Sequence, residues 1–177
     1  MSAAGGVAAV NSRRDEWLKA DDAALRRQCR EERYRASGPG GQRRNKVETA
    51  VRFHHQPSDL TVHAAESRSL QENRVRALRR LRARIAIELR APFDLEAPKL
   101  PEEFLAQRGP KGTFAVNVRN PAYPVIVATA LDALAAAEGS YAKAARALGL
   151  TTSQLLRFLR ADPQARRTAE RGRKVRG

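Results

Sequence analysis

The residues best suited to chemistry in this chain are Gly40, Gly41 and Gln42, which close the run Ser37-Gly38-Pro39-Gly40-Gly41-Gln42. Three glycines and a proline within six residues describe a loop. The loop carries a neutral amide side chain flanked by Arg35, Arg43, Arg44, Asn45 and Lys46. Its glycines can adopt backbone angles closed to other residues and let the chain approach a partner closely. Two phosphate-binding patterns are excluded: the P-loop spacing is absent, and the dinucleotide fingerprint needs a glycine where Arg43 stands. No Ser-His-Asp arrangement, paired carboxylate or metal cluster accompanies the loop, so a reaction there would rest on placing water and stabilising developing charge. On the triplet alone, a plain glycine-rich hairpin turn is the better reading.

The elements that must hold this loop follow from local patterns. Asp21 caps a short helical turn through Leu25, and after Cys29 a mixed pattern predicts an extended stretch up to Arg35. Val47, Thr49, Val51 and Phe53 alternate with polar or small residues, the period of a half-buried strand. Pro57-Ser58-Asp59 turns the chain, and Leu60, Val62 and Ala64 alternate again, which predicts a hairpin. Ser69, with Glu72 three residues later, opens a long helix through a capping box. Its apolar stripe is read as Val75, Leu78, Leu81, Ile85 and Leu89, and Pro92 closes it. Arg74, Arg76, Arg79, Arg80, Arg82 and Arg84 crowd the remaining surface, with few acidic partners nearby in sequence. His54, His55 and His63 are expected on the strand surface, without neighbours at metal-ligand spacing.

Charge narrows the partner. A formal net charge of +15 and a pI near 11.3 predict attraction to a polyanion. The excess is mostly arginine, whose planar donors suit phosphate and base stacking, which favours nucleic acid over lipid. No apolar run reaches the length of a membrane span, and Cys29 as the only cysteine leaves no disulfide framework. A cytoplasmic, monomeric protein with neither metal nor cofactor is the expectation.

Taken together, Arg35-Ala36-Ser37-Gly38-Pro39-Gly40-Gly41-Gln42, Asn45-Lys46, Thr49-Ala50-Val51-Arg52 and His55-Gln56-Pro57 resemble the catalytic domain of the class I peptide chain release factors. Glu66-Ser67-Arg68-Ser69-Leu70 and Asn73 are similar to the segment that opens that domain's long helix. The resemblance spans about Asp21 to Arg90. It implies a loop that enters the peptidyl transferase centre and hydrolyses the ester between peptide and tRNA. The Gln42 backbone N–H would stabilise the transition state, and its side chain would shape the pocket for water. RNA contacts are implied for Arg35, Arg43, Arg44, Asn45, Lys46, Arg52 and Arg68, and for Arg74, Arg76, Arg79 and Arg80 of the helix. The chain departs from the family pattern at Arg44, where a valine is usual, and at Asp59, where a glycine is usual; aspartate tolerates left-handed angles, so the turn survives.

The expected class is α+β: a small mixed sheet with a hairpin and one long helix, then a helix-turn-helix-like module and a basic tail. The expected divisions are a disordered segment 1–20, the glycine-loop domain 21–90, a proline-rich connector 91–124 with a short strand at Thr113 to Val118, a helical module 125–162, and a tail 163–177. In the module, Ala145, Gly149, Leu150 and Leu155 fit a helix-turn-helix, Ser140 caps its first helix, and Thr152, Ser153, Gln154 and Arg157 form the exposed face of its second. The tail holds Arg166, Arg167, Arg171, Arg173, Lys174 and Arg176, and reads as disordered when free.

The resemblance implies the ribosome as partner, through large-subunit rRNA and peptidyl-tRNA, with the vacant mRNA channel of the small subunit as a site for the tail. Domains for reading stop codons find no room in 177 residues, so codon-independent release on stalled ribosomes is the leading expectation. A non-catalytic ribosome- or RNA-binding protein, and a helix-turn-helix DNA-binding regulator, remain as alternatives.

Overall fold

The computed structural model describes residues 13–35 and 48–174, with side chains except at residue 111 and residues 172–174. The chain divides into two compact units, Lys19–Ile85 and a second formed by Met1–Leu18 with Ala86–Gly177. It is an α+β protein, and among the described residues every strand pair is antiparallel.

In the first unit, helix α2 (Asp22–Arg27) starts where Asp21 Oδ1 accepts from Ala24 N at 2.6 Å, and it buries Leu25. Strands β1 (Cys29–Tyr34), β2 (Ala50–His55) and β3 (Leu60–Ala64) form a sheet in that order. The β2–β3 turn works as expected for its aspartate. Asp59 sits at φ +58, and its Oδ1 lies 2.7 Å from His54 Nε2. Val51, Phe53, Val62 and Ala64 bury on the core face. His55 joins them, fully buried with Nδ1 2.6 Å from Ser58 Oγ, whereas His54 and His63 stay nearer the surface expected of all three.

Helix α3 (Leu70–Glu88) opens with Ser69 Oγ accepting from Glu72 N at 3.3 Å. Over its first four turns its buried residues are Asn73, Ala77, Leu78, Leu81 and Ile85, and Ala86 and Ile87 are buried as well near its end. Val75, read from spacing as part of the stripe, is 48% exposed. At 100° per residue it lies roughly 120° from the centre of the buried arc, and alanine and asparagine fill the positions that face inward.

The second unit is helical. Helix α1, residues 13–19, corrects the expectation of disorder up to residue 20: Arg14, Trp17 and Leu18, at helical spacing, are all buried. The connector contains a short helix α4 (Glu102–Leu105) and a 3₁₀ turn (Pro110–Gly112). In place of the expected strand at 113–118 there is one isolated bridge, Arg108 to Phe114. Phe114 is the anchor: it stacks on Phe104 at 5.1 Å and meets Phe158 edge-on at 5.4 Å, while Val118 is exposed.

Helix α5 (Tyr123–Ala136) is buried on nearly every side, as its run of apolar residues demands. Its one carboxylate, Asp132, accepts from Arg14 Nη1 at 2.5 Å, Arg90 Nη1 at 3.2 Å and Ala91 N at 3.1 Å. Burial raises the Asp132 pKa, against the pull of Arg14 and Arg90, and burial lowers that of Arg90 to about 10.

Helices α6 (Tyr141–Ala147) and α7 (Thr152–Arg160) make the helix-turn-helix. Ser140 caps α6, and Thr151 with Gln154 completes a capping box on α7. The turn needs glycine at 149: its φ is +63, and Arg108 Nη2, which donates to Leu148 O at 2.7 Å, would lie 2.5 Å from an added Cβ.

Helix α8 (Pro163–Lys174) corrects the second expectation of disorder. Ala165 and Ala169, one turn apart, are buried, so the tail has a narrow apolar stripe despite its charge. Asp162 Oδ1 accepts from Gln164 N at 2.7 Å at its start.

Candidate functional site

The candidates for catalysis, Gly40, Gly41 and Gln42, with Arg43, Arg44, Asn45 and Lys46, lie outside the described residues. The structure shows what carries them. Strands β1 and β2 pair in register up to Tyr34 and Ala50, so the glycine segment joins two adjacent antiparallel strands. Arg35 and Glu48 face each other at 3.7 Å across its base. One turn of the ladder below, the Arg52 guanidinium sits 5.6 Å over the Tyr34 ring and 3.6 Å from Glu32.

The returning strand is tied from the other side by Asn73. Its Nδ2 donates to Thr49 O at 2.7 Å and to Ser67 O at 2.8 Å, and its Oδ1 accepts from Ser67 N at 2.9 Å. The side chain is fully buried and joins the loop's exit, the β3–α3 turn and the first turn of α3. The residue was visible in the sequence only through its resemblance to the helix-opening segment; an apolar-stripe reading passes over it. Asn73→Ala strands two half-buried carbonyls and a half-buried N–H, and about 2–4 kcal/mol of stability should be lost. Urea unfolding followed by circular dichroism checks this; a loss under about 1 kcal/mol would show the knot to be dispensable.

Most arginines of α3 are committed within the unit, contrary to the expectation of few acidic partners. Arg74 Nη2 bonds Glu31 Oε1 at 2.6 Å, with both side chains largely shielded. Burial alone would raise the Glu31 pKa, but Arg74, Arg26 and Arg33 around the carboxylate hold it below its ordinary value. Arg82 bonds Asp22 Oδ1 at 2.6 Å and Ala20 O at 2.7 Å. Arg80 and Arg84, one turn apart, donate to His63 O at 2.6 Å and Thr61 O at 2.7 Å. These are outward carbonyls of β3, the edge strand, which the two guanidiniums cover. Arg80 also bonds Glu66, whose pKa it lowers. Arg76 faces Glu72 at 3.7 Å. Arg68 and Arg79 are exposed, with no side-chain partner among the described residues.

Of the tail cations, Arg166 faces Glu170 at 3.7 Å, Arg167 and Arg171 are exposed, and the side chains of Arg173, Lys174 and Arg176 lie outside the described residues. Among the described residues no cluster of three His, Cys, Asp or Glu could hold a metal ion, and no helix is long and apolar enough to cross a membrane. The Cys29 thiol donates to Leu25 O, and burial raises its pKa to about 11, which leaves it a poor nucleophile.

Residues 23–106 match the RF-1 domain, in line with the resemblance to the catalytic domain of the class I peptide chain release factors. A segment of 52 residues is 54% identical to peptide chain release factor 1 of Symbiobacterium thermophilum, covering 29% of this chain and 15% of that protein. Peptide chain release factor 1 of Streptococcus pneumoniae is 51% identical over 53 residues, 30% of this chain and 15% of its own length. The chain thus spans about 15% of the length of the curated relatives it matches.

Proposed function

We propose that this protein is a release-factor-type peptidyl-tRNA hydrolase that acts on the ribosome without reading a codon. The observation that carries the reading is the Gly40-Gly41-Gln42 triplet set between paired strands of an RF-1 domain. In the reaction, a water oxygen attacks the ester carbonyl carbon, the bond to the tRNA 3′ oxygen breaks, and that oxygen takes up a proton. The Gln42 N–H meets the developing oxyanion and the Gln42 side chain shapes the water site. Arg35, Arg43, Arg44, Asn45 and Lys46 hold the loop to rRNA phosphates. Arg68 and Arg79 are the best placed of the other cations, since Arg74, Arg80 and Arg82 already have partners. Large-subunit rRNA and peptidyl-tRNA are the partners, and the cytoplasm is the setting.

Peptide release from ribosomes programmed with mRNA lacking a stop codon tests the reading. The protein is expected to free the peptide at a rate that saturates with its concentration and does not depend on the codon presented. Absence of release on vacant, sense-codon and stop-codon ribosomes alike would leave a non-catalytic RNA-binding protein. A role for the tail in the mRNA channel rests on narrower ground. Ala165 and Ala169 are buried in α8, so truncation at Pro163 would remove packing as well as charge.

A further inference from the structure

We propose that the solvent face of α6 and α7 is a second RNA-docking surface, which binds the phosphate backbone of folded RNA and does not read base sequence. The inference rests on the ribosomal reading only for its choice of RNA as the polyanion. Between Ser140 and Gly177 the chain has ten basic residues and two acidic ones. Both acids are engaged inside the unit. Asp162 accepts from Tyr123 Oη at 2.9 Å and caps α8, and Glu170 faces Arg166. Arg146 on α6 and Arg157 and Arg160 on α7 are exposed and have no side-chain partner among the described residues.

That distribution is the reverse of α3, where arginines are plentiful but mostly bound to carboxylates and edge carbonyls. An arginine without a partner can neutralise a phosphate and release its counterion without first breaking an internal bond. Position on the helix adds direction. Ser153, Arg157 and Arg160 recur at i, i+4 and i+7, opposite the buried Leu155, Phe158 and Leu159. They form one charged ridge flanked by a hydroxyl.

Sequence reading by this ridge is disfavoured by Gln154. In a helix-turn-helix the first turn of the second helix supplies amides to base edges. Here Gln154 Oε1 accepts from Thr151 N at 2.8 Å and Nε2 donates to Gly112 O at 2.7 Å, so both ends of the amide are occupied. Guanidiniums and hydroxyls remain, and these suit phosphate and ribose.

The test uses the full chain carrying Arg146→Gln, Arg157→Gln and Arg160→Gln together, exposed changes for which an unaltered melting curve serves as the folding check. Affinity for ribosomes should fall about tenfold or more near 0.1 M salt, and the slope of log K against log salt should flatten by about 2 to 3. The corresponding triple Arg→Lys variant should keep most of the slope, and release at saturating protein should keep the wild-type kcat. Unchanged ribosome affinity and slope in the glutamine variant would overturn the proposal, whatever the release assay shows. Tighter binding to a duplex DNA than to a duplex RNA of the same sequence, at matched salt, would overturn the RNA assignment. Loss of affinity in a protein that releases no peptide would keep this surface and remove only the hydrolase.

Discussion

Gln42→Pro is expected to lower the kcat of peptide release at least 100-fold with little change in the concentration needed for half-maximal rate. Proline has no backbone N–H. If that N–H meets the oxyanion, its removal costs about 10²- to 10³-fold, the scale for one oxyanion-hole donor. Gln42→Ala keeps the N–H and removes only the side chain, so the difference between the two variants isolates the backbone donor. Gly41→Ala adds a Cβ beside it and is expected to reduce kcat as well. Affinity should survive in all three, because the cations elsewhere are untouched. Single-turnover release with prebound protein measures the first quantity, and ribosome co-sedimentation the second. Release by Gln42→Pro within tenfold of wild type would remove the backbone donor from the mechanism.

Asp132→Asn is expected to destabilise the helical unit by about 3–5 kcal/mol, the scale for removing one partner from a buried charge pair. Arg14 is 2% exposed and reaches Asp132 from 118 residues away in sequence. Without the carboxylate its charge stays in low dielectric with only Leu89 O and Asp15 nearby. Arg90, also drawn to Asp132, loses the same partner. Replacing the whole triad, Arg14→Met, Arg90→Met and Asp132→Leu, should recover most of the loss, because no charge then remains to be desolvated. Trp17 is the only tryptophan and lies one turn from Arg14, so its fluorescence reports urea unfolding of this unit. A midpoint unchanged by Asp132→Asn would show that the triad is solvated in the native state.

Much of the architecture was legible because its causes are local. Alternation over Val51 to Phe53 and Leu60 to Ala64, with a turn at Pro57-Ser58-Asp59, marks a hairpin whichever residues lie elsewhere. Ser140 and Gly149 likewise mark helix ends, through a bond that spans three residues and through one backbone angle. The candidate loop lies outside the described residues, and its reading rests on glycine and proline breaking regular structure where they stand. The N-terminal helix and α8 were missed because their apolar faces are thin. Trp17 and Leu18 in one and two alanines in the other are below what periodicity detects, and only packing gives them weight.

The arginines show where sequence alone stops. Helix α3 reads as a positive face, because its partners Glu31 and Asp22 stand 43 and 60 residues away and leave no mark on local composition. The fold brings those carboxylates in, and a surface that looked free for RNA becomes largely internal bonding. The arginines of α6 and α7 look no different in sequence, yet the fold leaves them without side-chain partners among the described residues. Residue type and spacing determined the hairpin, the long helix after it and the net charge. Which charges are neutralised is a matter of distance between segments far apart in the chain, and only the tertiary structure decided it.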